Sequence, residues 1–439
     1  MCASILGRIL SSARIFGLII AKNAIYFKVS PYTNFIIDSY AYAFVRRIDC
    51  GMEGMRMKRL TVFLAVLALV AGLAPVARAE GPDIGAKSAL LMDVATGTIL
   101  LEKNAHEALP PASVTKIMTM LLIMEAIDGG SLSYTDTVTA SESAAAKGGS
   151  QVFLKVGEQM TVGDMLKSIA VSSANDCACA MAEHLAGSEA AFVERMNQRA
   201  KELGMNDTHF VNCTGLDDSP EAASHRTSAH DIALMSRELL GKHPDITKYT
   251  TIWMDTIRGG AFGLSNTNKL IRFYPGATGL KTGFTSTAGY CLSATAERED
   301  LELIAVVMGC ESAKIRTAAC KTMLDYGFAN YALVRPALED IPLVSVRLGI
   351  QQAVPLKLEG DGALLIPKGK RAGLTTQVKA EEEVTAPVVS GTRLGTLTMT
   401  SGNETLMEVP LVAGADVPRL TLGGIYLQVL RKAAMAKVG

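Results

Sequence analysis

Apolar and polar residues change period several times along this chain, and each change marks an element. Apolar runs at 89–92 and 98–101, separated by a polar stretch at 93–97, predict a strand, a turn and a second strand. After Pro110 and Pro111, residues 113–127 carry a helical pattern that stops at Gly129 and Gly130. Helical patterns dominate again over 162–203 and over 228–240. Two apolar runs at 290–295 and 301–308, joined by Arg298-Glu299-Asp300, read as two further strands. Strands at both ends of a helical middle predict an α+β domain whose terminal strands share one sheet.

Beyond about Val334 the texture changes. Short β-rich pieces at 343–348, 363–366, 374–379, 394–400 and 406–412 alternate with Gly, Pro and charged turns, which predicts a small β-sandwich. The last segment places Leu422, Ile425, Tyr426, Val429 and Leu430 at helical spacing, followed by Arg431, Lys432 and Lys437. Such an amphipathic helix suits the membrane interface, and it equally suits packing on the sandwich; Gly423 and Gly424 weaken either helix.

Near the N-terminus, Met57-Lys58-Arg59 precedes an apolar run over 60–73 and then Ala77-Arg78-Ala79. These are the parts of a secretory signal, with cleavage expected between Ala79 and Glu80 and export to the outer face of the cytoplasmic membrane or the cell-wall space. A retained anchor would need about 20 apolar residues, and Pro75 interrupts this run. Residues 1–56 stand upstream of a complete signal, and a start at Met52, Met55 or Met57 accounts for them. The expected organisation is therefore 1–56 extension, 57–79 signal, 80–334 α+β domain, 335–417 β-rich domain and 418–439 amphipathic segment.

With 43 basic and 43 acidic residues the chain carries no net charge, so it lacks the basic footprint of a nucleic-acid partner. Six cysteines fall after residue 80, with no CxxC pair, and no histidines form HxxxH; neither a metal site nor a cofactor is expected. A chain this long needs no covalent staples, so free thiols are expected over disulfides.

Three short motifs carry the candidate chemistry. In Ser113-Val114-Thr115-Lys116, a spacing of three puts a hydroxyl and an amine on one helix face, one turn apart. A serine is a weak nucleophile until a base sits beside it, and a neutral lysine can be that base. Ser173-Ala174-Asn175 offers a second hydroxyl to carry a proton and an amide to orient its neighbours. Ser401-Gly402-Asn403 fits the same pattern but has turn chemistry and reads as structural. Lys281-Thr282-Gly283 supplies a charge, a hydroxyl donor and, if it lies on an edge strand, a glycine that lets a substrate backbone approach.

In order and separation these motifs resemble the penicillin-recognising serine enzymes, the penicillin-binding proteins and serine β-lactamases. The flanks look like those of the low-molecular-mass D-alanyl-D-alanine carboxypeptidases: Pro111-Ala112 before the first motif, Asp176 after the second, then Leu203-Gly204-Met205, Thr208-His209-Phe210, Asn212, Gly215-Leu216 and Ala288-Gly289-Tyr290. The resemblance implies a β-lactamase/transpeptidase-like catalytic domain acting on peptidoglycan stem peptides that end in D-Ala-D-Ala, and acylated by β-lactam antibiotics. It implies Ser113 as nucleophile and Lys116 as base, kept neutral by burial and by the second cation Lys281. Ser173 would carry the proton to the leaving amine while Asn175 fixes the geometry. Backbone N–H groups of Ser113 and Phe284 would form the oxyanion hole, and Thr282 and Arg316 would hold the terminal carboxylate. The chain departs from the pattern at Ala174, where glycine is frequent, and at Phe284, where some members carry histidine. Two rivals remain: a β-lactamase, for which only Glu202 with Asn206 has the required glutamate spacing, and a catalytically idle wall-binding protein.

Overall fold

The computed structural model describes residues 82–336, 341–426 and 430. The signal segment, its cleavage site, the extension before it and most of the terminal amphipathic segment lie outside these residues.

A five-stranded antiparallel sheet organises the first region. Its strands are β1 (Ser88–Asp93), β2 (Ile99–Lys103), β3 (Ala277–Thr285), β4 (Gly289–Arg298) and β5 (Leu301–Cys310), in the order β2-β1-β5-β4-β3. The terminal strands do share the sheet, with Leu90 opposite Val306. The central strands β1 and β5 are apolar on both faces because helices cover both. Leu90, Met92, Ile304, Val306 and Met308 point into one core cluster, while Ala89, Leu91, Leu303, Ala305 and Val307 point into the other. The edge strand β3 carries Lys281-Thr282-Gly283.

The helical stretch over 162–203 is three helices: α2 (Val162–Ser172), α3 (Asn175–Ala186) and α4 (Glu189–Glu202). Ser173 and Gly187, both with left-handed backbone, end α2 and α3. The other long helices are α1 (Lys116–Asp128), α5 (Ala229–Lys242) and α6 (Ala313–Asn330). Helix α1 is apolar nearly all round and runs through the larger core, so the ionisable Lys116 in its first turn is an exception that demands a reason. Helix α6 covers the opposite sheet face through Cys320, Met323, Leu324 and Phe328; its small and polar residues leave only a faint apolar period in the sequence.

Tyr331–Val334 leaves the sheet domain and pairs with Leu364–Pro367. Beyond this join stand two sheets. One is four-stranded and antiparallel, formed by Leu356–Leu358, Glu404–Ala413, Arg393–Ser401 and Leu374–Ala380. The other is three-stranded, and in it Val344–Arg347 runs parallel to Glu383–Thr385, a pairing that consecutive hairpins do not produce. Ser401-Gly402-Asn403 forms the turn between two long strands, with Gly402 at φ 58°, and is structural as expected. Residues 422–426 are helical, with Leu422 and Tyr426 exposed. Among the described residues no helix is long and apolar enough to cross a membrane.

Candidate active site

The chain enters α1 through a 3-10 turn, Ala112–Thr115, that carries Ser113. Ala112 sits at φ 50°, a left-handed conformation that costs about 1–2 kcal/mol for a residue with a Cβ. Its carbonyl is held from within the turn: the Thr115 hydroxyl donates to it at 2.8 Å. Thr115 Oγ1 in turn lies 2.9 Å from His225 Nε2. The Val211 N–H donates to His225 Nδ1, so the ring proton is on Nε2 and points at Thr115. Burial, then the basic neighbours His209, Arg226 and Lys116, pushes His225 down to about 4 and keeps it neutral. Gly215 closes the turn from the other side, since a Cβ there would stand 1.8 Å from the Ala112 oxygen.

Lys116 is fully buried, and its Nζ lies 3.0 Å from Ser113 Oγ and 2.7 Å from the Thr214 carbonyl. Burial holds its pKa down to about 7, against the opposing pull of Cys213 and Asp176. Lys281 is a second buried amine nearby. It sits well below the usual lysine range, through burial first and then repulsion from Lys116 and Arg316. Burial is the largest cause for both lysines, and Lys116 and Lys281 repel one another.

Ser173, at φ 64°, terminates α2, and Asn175 opens α3 two residues later. Asn175 Nδ2 donates to the Gly148 carbonyl at 2.7 Å and its backbone N–H to Ser150, while its Oδ1 has no partner although buried. The loop at 148–154 is clamped by the carboxylate of Asp176, which accepts from the N–H groups of Val152 and Leu154.

Lys281-Thr282-Gly283 lies directly against the nucleophile turn. A Cβ on Gly283 would come within 2.7 Å of the Pro111 oxygen and 3.1 Å of the Val114 nitrogen. The glycine thus lets β3 approach the turn of Ser113, a role not anticipated from the tripeptide alone. Arg316 is brought to the same place. In the first turn of α6 it is 9% exposed, its Nη1 lies 3.4 Å from the Gly283 carbonyl, and its guanidinium stands over the Tyr290 ring at 5.6 Å. Its Nε is buried without a partner. Phe284 is exposed and its ring lies 4.3 Å from that of Tyr290.

A family model described as D-alanyl-D-alanine carboxypeptidase matches residues 75–312, and one described as penicillin-binding protein 5, C-terminal domain, matches 339–419. The chain is 42% identical to D-alanyl-D-alanine carboxypeptidase DacF of Bacillus subtilis, over 83% of this chain and 95% of that protein. The chain belongs to the D-alanyl-D-alanine carboxypeptidase family. Among solved structures, penicillin-binding protein 5 from Haemophilus influenzae superposes with a TM-score of 0.65 at 31% identity, over 77% of this chain and 99% of that one. Penicillin-binding protein D2 from Listeria monocytogenes in its ampicillin-bound form gives 0.52 at 33% identity, over 56% of this chain and 100% of that one.

The structure also brings to these groups residues outside the three motifs. The segment around Asn212 and Gly215 belongs to the site: Asn212 Oδ1 accepts from the N–H groups of Thr214 and Gly215, fixing the carbonyl that receives Lys116. Asp176, His225 and Thr267 likewise contact the 148–154 loop, Thr115 and Thr282. The glutamate of the β-lactamase rival does not join them: Glu202 is exposed at the end of α4, bonded to Gln198 and Arg199.

Proposed function

We propose that this chain removes the terminal D-alanine from peptidoglycan stem peptides through an acyl-enzyme on Ser113. One observation carries the assignment of roles: a buried lysine amine near neutrality, 3.0 Å from a serine oxygen. Neutral Lys116 takes the Ser113 proton as Oγ attacks the carbonyl between the last two D-alanines. The N–H groups of Ser113 and Phe284 receive the oxyanion, supported by the contact of Gly283 with the nucleophile turn. The proton passes through Ser173 to the departing amine, and D-alanine leaves. Water then attacks the ester, and Lys116 takes its proton and passes it to Ser113 Oγ as the ester bond breaks, which restores the serine and frees the shortened peptide. Thr282 and Arg316 hold the terminal carboxylate, which limits the enzyme to chain ends. A β-lactam presents a strained amide and a carboxylate to the same groups; its leaving amine stays tethered and obstructs the incoming water.

The test is incubation with a pentapeptide ending in D-Ala-D-Ala, read as free D-alanine, and intact-mass measurement after penicillin followed by peptide mapping. Label on Ser113 that persists, and its loss in Ser113→Ala, is expected. Label elsewhere, or rapid drug hydrolysis, refutes the assignment. The apolar run before Ala77-Arg78-Ala79 supports export, with Glu80 expected as the mature N-terminus by sequencing. The exposed Leu422, Tyr426 and Leu430 support peripheral membrane contact, so removing residues 418–439 should release the protein from membranes and spare peptide trimming.

A further inference from the structure

Beside the third motif stands a hydroxyl that the mechanism above does not use. Thr267 Oγ1 lies 2.7 Å from Thr282 Oγ1. Its side chain is exposed, while Thr282 is only 6% exposed. The backbone that presents Thr267 is fastened on both sides by buried asparagines. Asn266 Nδ2 donates to the carbonyls of Thr250 and Ile252, and its Oδ1 accepts from the Asn268 N–H. Asn268 Nδ2 donates to the Gly279 carbonyl on β3 at 2.7 Å. The Thr267 N–H donates to Val171, near the end of α2. An exposed threonine held this firmly against the edge strand has a task other than packing.

Hydroxyl chemistry supplies that task. Each threonine has one proton to give and can also accept. A carboxylate only accepts, so Thr282 can serve it only if its own proton points to substrate. Its oxygen must then accept from elsewhere, and Thr267 is the donor at hand. We propose that Thr267 is a positioning residue for the terminal carboxylate: it donates to Thr282 and thereby commits the Thr282 proton to the substrate. The inference rests on the assignment of Thr282 to that carboxylate, and the experiment separates the two.

The measurement is kcat/KM for two peptides, one ending in D-Ala-D-Ala and one ending in D-Ala-D-alaninamide, for the full mature chain and its Thr267→Val, Thr267→Ser and Thr282→Val variants. For Thr267→Val a loss of about three- to tenfold is expected on the acid and not on the amide, mainly in KM, with Thr267→Ser close to the parent. Thr282→Val should show a larger loss of the same selectivity. Equal losses on both peptides in Thr267→Val, or no loss, would overturn the role of Thr267 while a selective loss in Thr282→Val left the carboxylate assignment standing. Equal losses in Thr282→Val would overturn both.

Discussion

The two regions of this molecule treat polarity in opposite ways. The sheet-and-helix region buries Lys116, Asp176, His225, Lys281 and Arg316 among its apolar side chains. Among the described residues, the β-rich region beyond it buries apolar side chains only. Placing charge inside a protein is costly unless each group is paired or neutralised, so a fold keeps such groups where they have work to do. In the first region each has a partner or a shifted proton: Lys116 faces a serine and a carbonyl, and Asp176 accepts backbone N–H groups. The β-rich region, with small clusters such as Leu397, Met399 and Leu411, has the interior of a scaffold.

Variants can break that contrast at either end. The largest effect is expected from Lys116→Met, which removes the base and should cut acylation by penicillin by at least about a thousandfold. With Lys116 acting in its neutral form as proposed, acylation should rise with pH through about 7 as it loses its proton. Stopped-flow acylation across pH checks both, and a flat profile would contradict burial as the activating device. Next is Gly283→Ala, whose added methyl meets the Pro111 oxygen and must push β3 from the nucleophile turn. A loss of about a hundredfold in acylation is expected for a displacement of about 1 Å.

His225→Ala should act more gently. It leaves Thr115 and the Val211 N–H without their partner, at a cost of about 1–3 kcal/mol in stability, seen as a lower urea midpoint. Acylation should fall about tenfold, since Ser113 keeps its base but its turn loses a brace. His225→Gln, which can both donate and accept, should recover part of each loss. The smallest effect on chemistry is expected from Leu411→Ala in the β-rich region. It should destabilise the protein by about 2–5 kcal/mol and leave the acylation rate of folded molecules unchanged. A drop in that rate would show that the second interior is no mere scaffold.

Much of the fold was legible because the central strands and helices carry their burial in their periodicity. β1, β5 and α1 are apolar enough to be read directly, whereas α6, with its weak apolar period, is not. The parallel pairing of Val344–Arg347 with Glu383–Thr385 joins segments too distant for hairpin logic to connect.

What the sequence by itself determined is the Ser113–Lys116 pair and the set of motifs. A spacing of three puts Ser113 and Lys116 one helical turn apart on one face. Tertiary structure alone decided how that pair is tuned. The carbonyl that receives Lys116 belongs to Thr214, 98 residues away, and the imidazole that braces the nucleophile turn reaches Thr115 from 110 residues away. The same holds for Gly283 against Pro111, Arg316 beneath β3 and Thr267 beside Thr282. Local geometry follows from residue spacing, but burial and a distant hydrogen-bond partner arise only when the chain closes on itself.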